Sequence, residues 1–213
     1  GFEGPIMPVT GRDQAIAGVL AYPDVAALPV VPDLAVICTA PPSVPETVRA
    51  LGERGTRAAV VVSDGFAPET KIRECGFHSA VRAEAEPFAL RLLGPNCLGL
   101  MVPGIGLNAS CAHISAGPGG VAFVSQSSTI STAVLDWAQH RNIGFSHFVS
   151  LGDTADIDFG DIIDYLGNDP MTRAILLYVE SVRNGRAFLS AGRGASRNKP
   201  ILVIKSGRAP EGQ

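Results

Sequence analysis

The chain has 213 residues, 46 % of them hydrophobic and 17 % charged, with a formal net charge of −3. That apolar content can build one large core or two small ones, which excludes a disordered chain. The weak acidity excludes capture of nucleic acid or an anionic membrane through bulk charge, and no apolar stretch approaches the ~18 residues that span a bilayer.

The 24 glycines and 16 prolines follow no period, as in an α/β protein with many short loops. The opening "GFEGPIMPVTG" lacks the basic region and apolar core of a signal peptide. Cys38, Cys75, Cys97 and Cys111 show neither C-x-x-C spacing nor a histidine at zinc-ligand spacing. Neither zinc nor a disulfide framework is therefore expected, and a reducing cytoplasm is.

The first strand-like piece is "GPIMPV". An open nucleotide-binding sheet normally begins with a central strand and a glycine-rich turn, so about 30 residues, one βα unit, are expected to be missing before it. Short apolar runs follow: "LAVIC" (34–38), "AAVVV" (58–62), "LRLL" (90–93), "VAFV" (121–124), "FSHFVSL" (145–151), "AILLYV" (174–179) and "ILVIK" (201–205). Runs this short and β-branched predict strands buried on both faces. Between them lie amphipathic segments. "VPETVRALGERG" carries acids early and arginines late, as the helix dipole prefers, with its start placed after Pro45. "TISTAVLDWAQHR" sets Ile130, Ala133, Val134 and Trp137 at i, i+3, i+4, i+7, which predicts one apolar face. The alternation implies right-handed crossovers and a parallel sheet. It breaks at "MVPGIGLNASCAHISAGPGG" (101–120), which has no sustained period and is long enough to link two domains.

Ligands of open parallel sheets sit at the carboxyl ends of the strands. The loops there are "TAPPSVPE" (39–46), "SDGFAPE" (63–69) and "GPNCLG" (94–99). They are small and weakly charged, fit for an extended ligand or simply ordinary βα loops. "SQSSTIST" (125–132) runs into a helix and is either a plain serine N-cap or an anion site. Glu180 ends a strand, as a surface group or as the orienting partner of a histidine. Asp153, Asp156, Asp158, Asp161 and Asp164 do not match an EF-hand loop, and helix capping with a solvated face is expected rather than metal. His78, His113, His140 and His147 stand in no recognisable motif and are read as structural or exposed. Lys205 and Arg208 can face an anionic ligand or form an exposed pair. Cys97 has no neighbouring cation in sequence to depress its pKa, which argues against a nucleophile.

The order of these segments is more specific than any one of them. "PDLAVICTAPPSVPE", "GPNCLGL", "GLNAS", "VAFVSQSS", "GFSHFVSLGDTADIDFGDIIDYLGNDP", "AILLYVES" and "ASRNKPILVIKSGR" together resemble the CoA-binding and succinyl-CoA-synthetase-like domains of the NDP-forming acyl-CoA synthetases. The resemblance covers nearly the whole chain. From "VLDWAQHR" through "KSGR" the sequence looks closest to bacterial Pat-type protein lysine acetyltransferases, which join a synthetase-like region to a C-terminal GNAT domain.

The resemblance implies an α/β fold: a Rossmann-like CoA-binding domain with its first strand missing (1–103), a linker (104–117) and a flavodoxin-like domain (118–213). It implies a CoA or acetyl-CoA site lined by Thr39, Ala40, Pro41, Pro42, Ser63, Asp64, Gly65 and Phe66, with Asn96 and Cys97 near the pantetheine thiol. Ser125, Ser127, Ser128 and Thr129 would receive a phosphate, and Glu180 would hold a phosphohistidine. Ser128 departs from the family, whose ligases carry glycine after "SQS". The family's phosphohistidine lies in an "SHTG"-like motif just past "KSGR", beyond Gln213. The ATP-grasp domain that phosphorylates it and the GNAT domain are also outside this sequence, so the chain alone is not expected to be active. The function expected first is an acyl-CoA-binding region that regulates an attached GNAT acetyltransferase acting on a protein lysine. The alternative is the α-type portion of an active ADP-forming acyl-CoA synthetase, with ATP and ADP handled by the other domains. A NAD(P) dehydrogenase lacks its glycine-rich fingerprint here.

Overall fold

The computed structural model describes residues 1–63 and 71–207. A small antiparallel hairpin comes first, β1 (Ala15–Ile16) and β2 (Val19–Leu20). Its two turn residues, Ala17 and Gly18, both have positive φ, at 48° and 81°, which suits the twist of a two-residue hairpin loop. "GPIMPV" forms no strand. Its only ladder contact is a single bridge from Val9 to Tyr22, because Pro5 and Pro8 remove two of the donors a strand needs.

Next come β3 (Leu34–Ile37), α1 (Val44–Arg54), β4 (Ala58–Val61), α2 (Lys71–Ala85) and β5 (Arg91–Leu93). The strands form a parallel three-stranded sheet in the order β3-β4-β5. α1 begins one residue before Pro45 and stops at Gly55, whose φ of 91° closes the helix in the left-handed conformation. Val44, Val48 and Leu51 lie on one face of α1 and pack on Ile37, Ala59, Val61, Val81 and Leu92. The pleat of β4 divides its residues between two cores. Ala59 and Val61 face the helices, while Val60 faces the second half of the chain.

The second sheet has six strands in the order β11-β10-β8-β9-β6-β7. They are β6 (Gly99–Val102), β7 (Leu107–Ser110), β8 (Pro118–Ser125), β9 (Phe145–Ser150), β10 (Ala174–Val179) and β11 (Ile201–Lys205). The helices α3 (Ser128–His140), α4 (Phe159–Asn168) and α5 (Gly185–Ala195) make the crossovers. β8 to β11 are parallel, and β6 and β7 add an antiparallel hairpin to the β9 edge. The stretch read as an aperiodic linker therefore contributes strands to this sheet. Two four-residue strands around a Pro-Gly turn are too short to show a period.

Two further expectations change. On α3 the buried residues are Ser131, Leu135 and Ala138, with Ile130 and Val134 only half-buried and Ala133 exposed. Trp137 is 54 % exposed under the Arg141 guanidinium, 4.9 Å from its ring centroid. Ser131 can take an inward place because its hydroxyl donates to the Ser127 carbonyl at 2.8 Å. β9 is buried along its whole length, but β11 is an edge strand with Leu202, Val203 and Ile204 exposed. No described helix is long and apolar enough to cross a membrane.

Candidate functional site

Three loops meet at the carboxyl edge of the first sheet. The Ser63 hydroxyl donates to the Thr39 carbonyl at 2.6 Å, which ties the loop after β4 to the loop after β3. The Ser63 carbonyl accepts from the Asn96 N–H at 3.2 Å, which ties both to the loop after β5. Thr39, Ala40 and Pro42 are exposed on this edge, Pro41 is half-buried in a short 3₁₀ turn, and Asn96 is exposed. The turn into Asn96 needs Gly94, whose φ is 101°. A Cβ there would lie 2.4 Å from the Val61 carbonyl oxygen. Asp64, Gly65 and Phe66 lie outside the described residues.

Cys97 does not open on this edge. It is 4 % exposed, and its thiol donates to the Val61 carbonyl at 3.3 Å. Burial pushes its pKa up to about 12, so the sulfur stays a thiol at neutral pH. Of the pair expected at the thiol end of a ligand, Asn96 faces the loop surface and Cys97 supports it from inside.

At the second sheet, Ser127 is the N-cap of α3 and its hydroxyl accepts from the Ile130 N–H at 3.3 Å. The Ser127 carbonyl accepts from the Ser131 N–H at 3.0 Å. An α-helix leaves its first N–H groups without partners in the helix, so those of Ser128 and Thr129 are the pair left to face an anion. Ser125 contributes differently from expectation. It is fully buried, and its hydroxyl is engaged with the backbone of Ser127, donating to the carbonyl and accepting from the N–H at 3.0 Å each. It shapes the turn and touches no ligand surface. Ser128 is half-buried and does not have a positive φ, so the backbone here does not demand the family's glycine. Glu180 directly follows β10, the parallel neighbour of β8, and is exposed on the same edge.

The comparisons with known proteins follow the same division. Residues 3–103 match the CoA binding domain family, and residues 118–213 match the succinyl-CoA ligase like flavodoxin domain family. The chain is a CoA-binding domain followed by a succinyl-CoA ligase-like domain. It is 36 % identical over 99 % of its length to ADP-forming acetate–CoA ligase I of Archaeoglobus fulgidus. It is 34 % identical over 98 % of its length to the alpha subunit of ADP-forming acetate–CoA ligase II of Pyrococcus furiosus. It spans 31 % of the first of these proteins and 45 % of the second. A solved structure of dinucleotide-forming acetyl-coenzyme A synthetase 1 from Candidatus Korarchaeum cryptofilum, in complex with phosphate and ADP, superposes with a TM-score of 0.93 at 33 % identity. It covers all of this chain, which spans 46 % of that one.

Between the CoA-binding domain and the ligase-like domain runs the loop 151–157. The Leu151 N–H donates to the Ser125 carbonyl at 2.8 Å, while those of Asp153 and Ala155 donate to the Pro95 and Gly94 carbonyls at 2.9 Å. The loop thus holds the serine turn at one end and the Asn96 turn at the other. Its aspartates are structural. Asp153 accepts from the Asn96 side chain at 3.3 Å. Asp156 pairs with Arg91 at 2.9 Å and accepts from the Leu92 N–H. Asp158 caps α4 in a reciprocal box with Asp161.

Each described histidine has an acidic or carbonyl neighbour, although Nε2 of His78 and Nδ1 of His147 are buried without a hydrogen bond. His78 lies 3.5 Å from Asp153 and His113 lies 2.7 Å from Asp136, while His140 meets the Asp136 carbonyl. His147 sits between Asp169 and Tyr165, its pKa lowered by burial. The Lys205 ammonium donates to the Ser206 carbonyl, and Arg208 lies outside the described residues.

The residue that sequence reasoning missed is Gln126 of the ligase-like domain. Its side-chain oxygen accepts from the N–H groups of Glu180 and Ser181, at 2.7 and 2.9 Å, and so fixes the Glu180 loop against the serine turn. An amide between two serines, one strand away from a carboxylate, was the available signal.

Proposed function

We propose that this chain is the α-type portion of an ADP-forming acyl-CoA ligase, acting on acetate or a similar small carboxylate. The observation that carries this reading is the loop 151–157, bonded at one end to the Ser125 turn and at the other to the Asn96 turn. A thiol held at Asn96 and a phosphoryl group held at α3 would then share one reaction space. The similarity to acetate–CoA ligases over almost the whole chain supports the same reading.

The residues present fit these groups. Small, exposed Thr39, Ala40 and Pro42 let an extended pantetheine chain approach backbone, and Asn96 offers an amide at its end. The N–H groups of Ser128 and Thr129 stabilise phosphoryl negative charge at a helix start. In the thioester-forming step the CoA sulfur attacks the carbonyl carbon of an acyl phosphate. The C–O bond to phosphate breaks, and phosphate leaves with the bonding pair and is held at α3. The thiol proton ends on the departing phosphate. In the earlier steps Glu180 would accept the N–H of the histidine that passes the phosphoryl group from ATP to the carboxylate, a histidine supplied from outside the described residues.

The other reading, a regulator of a GNAT acetyltransferase, rests on the likeness of the later segments to Pat-type acetyltransferases and on the Ser128 side chain standing at the anion site. The relatives matched over almost the whole chain are ADP-forming ligases, which favours the ligase. The two readings separate in one assay. Full-length protein given acetate, ATP and CoA is expected to form ADP and acetyl-CoA in equal amounts, through an acid-labile phosphoprotein. Acetyl transfer from acetyl-CoA to protein lysines with no ADP formed would overturn the ligase reading.

A further inference from the structure

Three cysteines converge where the two sheets meet. Cys38 directly follows β3, whose Ile37 is the register partner of Val61 on β4. The Cys97 thiol reaches that same Val61 carbonyl, and the Cys111 N–H donates to the carbonyl of adjacent Leu98 at 2.9 Å. Side chains alternate along β3. Ala35 and Ile37 join the helix-side core and Leu34 joins the other core, so Cys38 lies on the face turned to the second sheet. Cys111 stands just past β7, on the hairpin that extends that sheet. The Cys38 and Cys111 thiols are neighbours across the gap, near enough to interact electrostatically, and both are free and, unlike Cys97, exposed.

We propose that Cys38 and Cys111 are a redox-active dithiol that closes into a disulfide, stapling the Thr39–Ser43 loop edge of the first sheet to the β6–β7 hairpin of the second. The oxidant is a low-molecular-weight disulfide, R–S–S–R. One cysteine thiolate attacks a sulfur of this disulfide, forming a mixed disulfide and releasing R–S⁻. The second thiolate then attacks the protein sulfur of the mixed disulfide and expels the other R–S⁻. Both leaving thiolates take up the protons lost by the cysteines, so two R–SH form and the protein loses two electrons and two protons. Burial and the Cys111 neighbour hold the Cys38 thiol above its ordinary pKa, which makes closure faster as pH rises. Cys97, buried and pushed up to about 12, takes no part.

That closure lowers CoA affinity rests on the function proposed above. The test therefore reads the crosslink first and CoA binding second. Full-length protein is equilibrated with glutathione disulfide, its free thiols are counted, and non-reducing digests are read by mass spectrometry. The expected result is loss of two thiols and a linked Cys38–Cys111 peptide, reversed by dithiothreitol and retained in Cys97→Ala. Cys38→Ser and Cys111→Ser, or the alanine variants where serine impairs folding, abolish it. Glutathione adducts on both residues without a linked peptide, or a link to Cys97 or Cys75 instead, would overturn the proposal. A crosslink that leaves CoA binding unchanged would refute only its effect on the CoA site.

Discussion

The carboxyl edges of the two sheets are held together in different ways. At the first edge loop is tied to loop mainly through backbone groups, with the Ser63 hydroxyl as a side-chain clasp and Gly94 making the turn. At the second, side chains hold the pieces, with Gln126 clipping the Glu180 loop and serine hydroxyls shaping the helix start. Backbone ties cannot be altered one at a time without disturbing the fold. Side-chain ties can. Substitutions at the first edge should therefore act on folding, and those at the second on chemistry.

The largest effect is expected at Gly94. A valine there takes up a strained positive φ and drives Cβ into the Val61 carbonyl, for a loss of about 3 kcal/mol or more. Urea denaturation of Gly94→Val measures it, and a near-native midpoint would break the contrast between the edges. Next is Cys97. Its folded pKa is raised, so the folded state keeps a proton that the unfolded chain releases. Its stabilisation is present below about 9, the ordinary thiol value, and is lost as pH rises towards about 12. The stability gap between wild type and Cys97→Ala should shrink across that window. At neutral pH the variant should keep acetyl-CoA binding within about tenfold, or ~1.4 kcal/mol.

At the second edge, Gln126→Ala leaves the exposed N–H groups of Glu180 and Ser181 to water and should cost about 0.5–1.5 kcal/mol. It should depress phosphoprotein formation in the full-length protein far more than CoA binding, and Gln126→Glu, which keeps the acceptor, should recover part of it. Arg91→Ala removes half-exposed ion pairs to Asp156 and Asp161 and should cost less than about 1 kcal/mol, shrinking further in high salt.

Much of this architecture can be read from residues. "AILLYV" coincides with β10, and Gly55 marks the end of α1. Features that depend on distant partners could not be read. The β6–β7 hairpin exists because β9 offers an edge. Ser131 can face inward on α3 because the Ser127 carbonyl takes its hydroxyl, while Trp137 falls on the exposed face under Arg141. Within the site, Ser127 and Asn96 follow from turn chemistry. The inward facing of Ser125 and Cys97, and the clip made by Gln126, depend on carbonyls and N–H groups contributed by other strands.

Val60, Leu93 and Cys97 of the first half belong to the same apolar cluster as Val124, Leu151 and Ile163 of the second. Separating the two family-matched segments would open that cluster to water on both sides. The halves that sequence families treat as separable are therefore one cooperative unit. Heating should melt them in a single calorimetric transition, and neither half should hold its native state when expressed without the other.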